Sequence, residues 1–130
     1  MDELGDYMNS SILSIDHESS VQEAAQYMQA NHIGSLLVKK FDEFVGIVTD
    51  TDLTRKVLGP GLNPDTTEIN EIMTSPLLTM DRFIPIDQAN EFMRKNKIRH
   101  LVVTEADKIV GVISVRDLVA YYARSFRMTE

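Results

Sequence analysis

Two stretches of the chain end alike: GIVTDTD at 46–52 and GVISVRD at 111–117. Each runs from a glycine through apolar residues to a hydroxyl, with a carboxylate three residues later. Two chemistries fit Thr49-x-x-Asp52 and Ser114-x-x-Asp117. The first is structural. The spacing [ST]-x-x-[DE] is that of a capping box, in which the hydroxyl caps a helix and the acid supports its first turn. The second is recognition. A strand running into a helix N-terminus presents free N–H groups at the positive end of the helix dipole, which suits a phosphate. A Ser or Thr hydroxyl there can donate to a phosphate oxygen. A carboxylate repels phosphate but can accept from both hydroxyls of a ribose, as in dinucleotide folds. The glycine at the head of each stretch allows another group to approach the backbone closely.

The elements that position these residues follow from an internal duplication. Sliding the sequence by 65 residues aligns it with itself without gaps, with 15 identical pairs between Asp6 and Leu58. YMNSSILSID at 7–16 falls on IMTSPLLTMD at 72–81, and DEFVGIVTDTDL at 42–53 falls on DKIVGVISVRDL at 107–118. GPGLNPD at 59–65 is dense in Gly and Pro and reads as the linker. The halves are therefore 1–62 and 63–130.

Each half reads β-α-β-β-α. A short strand is expected near Ile12–Ile15 and near Leu77–Met80. A helix follows, capped by Ser20 with Glu23 in the first half and opened by Pro85 in the second. Val21, Ala24, Ala25 and Met28 form its apolar face, matched by Ile86, Ala89 and Met93. Strands at Ser35–Lys39 and Phe44–Thr49, and at His100–Thr104 and Ile109–Ser114, complete each half. A last helix begins near Asp50 and near Val115. The fold class is α/β (α+β). One half of about sixty residues is marginal alone. Two can bury their sheets against each other around a pseudo-twofold axis, which would create two related clefts.

Composition narrows the function. The charge of −7 opposes general binding to nucleic acid, itself a polyanion, and the basic run RKNKIR at 94–99 reads as a solvated helix end. No apolar run approaches the ~20 residues that span a bilayer. MDELGDYMN lacks a signal-peptide core, so a cytoplasmic protein without a membrane partner is expected. The absence of cysteine excludes disulfides, thiolate catalysis and zinc–thiolate sites. No activated nucleophile and no Gly-rich lysine loop is found, so an enzyme is not expected. Asp16, His17 and Glu18 are consecutive, point in different directions, and have no metal-ligand spacing.

The tandem repeat, with G-h-h-[ST]-x-x-D closing each half, resembles a cystathionine-β-synthase (CBS) domain pair, or Bateman module. DYMNSSILSID, IMTSPLLTMD and KIRHLVVTEADKIVGVISVRDL carry the likeness, which extends over about residues 4–124. The resemblance implies a regulatory module that binds AMP, ADP, ATP or S-adenosylmethionine and has no catalytic cofactor. It implies that Asp52 and Asp117 hold the ribose hydroxyls and that Thr49 and Ser114 contact phosphate, with Arg116 added from its charge and position. It implies an adenine slot at Ile15, Ile33 and Ser35 in the first half and at Met80, Ile98 and His100 in the second. Where many members carry a proline in the second strand, Leu37 and Val102 stand here. It further implies a homodimer, with surfaces near Met28, Met93 and Leu118, and a separate regulated protein. The alternative is a structural or oligomerisation module with no small-molecule ligand, in which both motifs are helix caps only. Tyr121, Tyr122 and Phe126 read as packing residues or, where exposed, as a patch for a partner.

Overall fold

The computed structural model describes residues 2–128, with side-chain burial through residue 126. The order is β1 (Ser14–Asp16), α1 (Val21–Asn31), β2 (Ser35–Lys40), β3 (Glu43–Thr49), α2 (Asp50–Asp52), β4 (Thr79–Asp81), α3 (Ile86–Asn96), β5 (His100–Glu105), β6 (Lys108–Ser114) and α4 (Val115–Met128). The α2 turn continues as a π-helical segment, Leu53–Leu58, and single 3₁₀ turns lie at Leu4–Asp6 and Ile69–Glu71. The fold is mixed α/β with two three-stranded sheets, β1-β2-β3 and β4-β5-β6. In each, the first strand pairs parallel with the second and the second antiparallel with the third.

The chain divides into two compact units, Leu13–Leu77 and Met1–Ile12 with Leu78–Glu130. These units are offset from the sequence halves. Each half's opening segment packs on the other half's sheet. In the first unit Ile69 donates its N–H to the Ser19 carbonyl (2.9 Å), Asn70 to His17 (2.9 Å), and Thr74 exchanges two bonds with Ile47 (2.9 and 3.0 Å). In the second unit Leu4 donates to Ile84 (2.9 Å), Gly5 to Arg82 (2.8 Å), and Asn9 exchanges two bonds with Val112 (2.8 and 3.0 Å). Every partner in one set lies 65 positions from its counterpart in the other.

Local sequence explains the elements. The Ser20 hydroxyl accepts from the Glu23 N–H (3.1 Å), and Glu23 reaches back to the Ser20 N–H (3.5 Å). Val21, Ala24 and Met28 are buried on α1; Ile86, Ala89 and Met93 are buried on α3. Each stripe faces its own unit's core. The first core joins them to Leu36, Val38, Val48, Leu53, Val57, Ile69 and Ile72. The second contains Leu4, Leu101, Val103, Ile113 and Leu118. Met28, Met93 and Leu118 are thus buried within their units, and the expectation that they form a dimer surface is corrected. Among the described residues, the large apolar side chains exposed on α4 are Val119, Tyr122 and Phe126, while Tyr121 packs edge-on against Tyr7 and Tyr122. The Tyr122 hydroxyl donates to Asp87 Oδ1 (2.6 Å). Partial desolvation and then that bond push its phenol up to about 12, so it remains a donor at neutral pH.

The opening strands start later than expected, at Ser14 and Thr79, because only three residues of each pair with the neighbouring strand. The Leu37 N–H donates to the Leu13 carbonyl (3.1 Å), a bond that a proline could not make.

The close approach expected at the strand glycines is made by the chain itself. A Cβ on Gly46 would lie 2.8 Å from Met73 Sδ and 2.8 Å from the Thr74 carbonyl oxygen. A Cβ on Gly111 would lie 2.6 Å from Met8 Sδ and 2.8 Å from the Asn9 carbonyl oxygen. Met8 can swing aside, but the Asn9 carbonyl is held in its bridge to Val112. Gly111→Ala is therefore expected to destabilise the protein by about 1–3 kcal/mol, the usual cost of overpacking. Urea unfolding checks this: an unchanged midpoint would mean that the Asn9 segment is not docked on β6.

Candidate functional site

Each strand-end motif forms a complete capping box. At the end of β3 the Thr49 N–H and hydroxyl both donate to Asp52 Oδ2 (2.9 and 3.2 Å), and the Asp52 N–H donates to Thr49 Oγ1 (3.2 Å). At the end of β6 the Ser114 N–H and hydroxyl donate to Asp117 Oδ2 (2.8 and 3.0 Å), and the Asp117 N–H donates to Ser114 Oγ (3.2 Å). In both, the motif hydroxyl and one carboxylate oxygen are spent on the helix start.

The two sites differ in what remains. Asp52 is buried, and its Oδ1 pairs with Lys56 Nζ at 3.0 Å. Lys56 also donates to the Ile72 carbonyl (3.0 Å). The first-turn amides of α2 are all occupied, with Asp50 donating to Gly34 O (2.9 Å), Thr51 to Asp50 Oδ1 (2.8 Å) and Asp52 to Thr49. Asp117 is only partly buried, and among the described residues its Oδ1 takes no hydrogen bond or ion pair. Val115 donates its N–H to Arg99 O (2.9 Å), whereas among the described residues no side chain caps the Arg116 N–H. The Arg116 side chain itself is exposed.

The other expected residues fall into two sets, each within one compact unit. The β2–β3 register pairs Ser35 with Thr49, and the β5–β6 register pairs His100 with Ser114. These hydroxyls and strand starts therefore lie side by side. Ile33 and Ile98 sit just before β2 and β5, half-buried at the margin of their cores. Ile15 is opposite Val38 and Met80 opposite Val103, three residues along from Ser35 and His100. At about 3.3 Å per residue that is roughly 10 Å from the strand end. Ser35, Ile33, Thr49 and Asp52 are brought together, as are His100, Ile98, Ser114, Arg116 and Asp117; Ile15 and Met80 stand further up their sheets. The sequence leaves open where Lys56 points; in the structure it turns to Asp52, at the i, i+4 spacing of an acid–base pair.

Among the described residues, no group of three or more His, Asp or Glu side chains could hold a metal ion, and no helix is long and apolar enough to cross a membrane.

Comparison with known proteins agrees with this architecture. The CBS-domain family profile matches residues 4–59 and 69–124. An uncharacterised protein of Methanopyrus kandleri is 29% identical over 117 residues, which are 88% of this chain and 60% of that protein. The chain thus spans somewhat over half of that relative's length. The crystal structure of an uncharacterised conserved protein from Pyrococcus horikoshii superposes with a TM-score of 0.87 at 32% identity, covering 93% of this chain and 92% of that one. A hexameric CBS-CP12 protein from bloom-forming cyanobacteria superposes with a TM-score of 0.84 at 25% identity, covering 90% of this chain and 66% of that one. With two matched segments, two like sheets and the strand-end motif built twice, the chain belongs to the CBS-domain family, as a tandem pair of CBS domains.

Proposed function

We propose that the chain is a regulatory module that binds an adenosyl compound, AMP, ADP, ATP or S-adenosylmethionine, and passes the binding event to a separate regulated protein. The observation that supports this best is Asp117 Oδ1. It is a carboxylate oxygen left over from a helix cap, on a partly exposed residue whose other oxygen holds a hydroxyl and whose neighbour in sequence is an arginine. It can accept from ribose hydroxyls while Oδ2 keeps the cap, since each carboxylate oxygen has two lone pairs. Arg116 supplies the charge that phosphate requires. Regulation then follows only where the ligand binds two conformations of the module with different affinity. Assembly as a homodimer belongs to the same reading, with the exposed Val119, Tyr122 and Phe126 of α4 in place of the buried Met28, Met93 and Leu118. The reading has no catalytic step and no catalytic cofactor.

One observation favours the alternative, a structural or oligomerisation module without a ligand: both motif acids already serve as helix caps. Native mass spectrometry of freshly purified protein, followed by thermal melts with AMP, ATP and S-adenosylmethionine, separates the two. The proposal expects dimer masses that carry an adenosyl compound. It also expects a melting point several degrees higher at a hundredfold excess over Kd, where ligand contributes about 2.7 kcal/mol. Ligand-free masses, whether of the 14.7 kDa monomer or of an oligomer, with no thermal response to any of the three would leave the capping role alone.

A further inference from the structure

We infer that Lys56 is a built-in occupant of the first strand-end site, so that this module takes nucleotide at Asp117 and not at Asp52; the inference rests on the adenosyl reading above. The two motifs are near-copies, yet among the described residues only one has its outer carboxylate oxygen filled. Asp52 Oδ1 holds Lys56 Nζ at 3.0 Å, in a side chain that is 11% exposed. The ammonium is fixed at a second point by the Ile72 carbonyl, so it is not a loose surface lysine that happens to pass by. The position 65 residues on is Tyr121. Its ring turns to Tyr7 and Tyr122, which leaves Asp117 Oδ1 without an internal partner among the described residues.

A ribose arriving at Asp52 finds one lone pair of Oδ1 already taken, so for both of its hydroxyls to donate there it has to replace the ammonium. The replacement exchanges a charge-assisted bond for neutral O–H donors, and it strips Lys56 of a partner. Other features point the same way. Every first-turn amide of α2 is already bonded, and Asp50 adds a second carboxylate where a phosphate would have to lie. The equivalent of Asp50 in the second repeat is Val115, followed by Arg116. The rival possibility is that Lys56 releases Asp52 and becomes a phosphate ligand, which would make it a contributor to binding.

Titration calorimetry with AMP on the full chain distinguishes these. The wild type is expected to bind one AMP per chain, and Asp117→Ala to weaken that binding by roughly 10–100-fold. Lys56→Gln, which removes the ammonium from Asp52, is expected to add a second AMP per chain, bound more weakly than the first because Asp50 and the bonded α2 amides remain. The double variant Lys56→Gln/Asp117→Ala is expected to retain one. Lys56→Met serves as the second substitution should the glutamine variant fold poorly by circular dichroism. Two equal sites in the wild type, or loss of a site on removing Lys56, would overturn the inference while leaving adenosyl binding intact. No AMP binding by the wild type or by either Lys56 variant would remove both.

Discussion

A fragment of residues 1–62 is expected to be unfolded, whereas residues 13–77 should show the dispersed amide spectrum of a folded unit. Both are of similar length and both contain β1, α1, β2 and β3. They differ in which opening segment they carry. The 1–62 fragment keeps residues 2–12, whose bonds go to Ile84, Arg82 and Val112, all missing from it. It lacks Ile69 and Ile72, which are buried against Val21, Val48 and Val57. At about 1.5–3 kcal/mol for each fully buried side chain, those two isoleucines are a large fraction of what a domain of this size has in reserve. It also leaves the Ile47 edge of β3 without its bridge to Thr74, and the Val21 N–H without the Thr67 carbonyl. The 13–77 fragment retains all of these. Heteronuclear NMR of the two fragments as dilute monomers is the check. Equal dispersion in both would mean that the exchanged segments are incidental; a collapsed spectrum for 13–77 as well would mean that one unit does not stand without the other.

That offset between repeat and unit marks where the sequence stopped being legible. The duplication, the strand pairs and both capping boxes could be read from spacing, because each depends on residues a few positions apart. Ser20 with Glu23 and Thr49 with Asp52 are examples. The exchange of opening segments could not, because it depends on Ile69 preferring the core beside Val21 to one built from its own half. The glycines show the same limit. A strand glycine announces a close approach, but whether by ligand or by chain is decided by Met73 and Met8, some 27 residues after Gly46 and 103 residues before Gly111. The apolar helix stripes are legible in the sequence, but that Met28, Met93 and Leu118 face their own unit's core and not a dimer partner is not. An amphipathic pattern reports that a face is buried and does not name what buries it.

Asp117→Ala and Asp52→Ala are expected to separate two roles that the paired motifs share. In the first, Oδ1 is the oxygen offered to ribose, so its loss should weaken AMP binding by on the order of 10–100-fold, the equivalent of a charged hydrogen bond of roughly 1.5–3 kcal/mol. In the second, both oxygens already hold the protein together. Oδ2 accepts from Thr49, and Oδ1 ties Lys56, and through it Ile72, to the start of α2. Removing that carboxylate should leave AMP binding within about twofold but cost about 1–3 kcal/mol of stability, more than the same change at Asp117, since a partly buried ion pair is broken as well as a cap. Lys56 is 45% exposed and can turn to water once released, which keeps the cost below that of a fully buried pair. Calorimetry with AMP and urea unfolding of both variants measure the two effects independently. If Asp52→Ala abolishes the tighter site while Asp117→Ala leaves it intact, the assignment of the ribose to Asp117 is wrong. If neither substitution alters binding and both lower stability alike, GIVTDTD and GVISVRD are helix caps and nothing more.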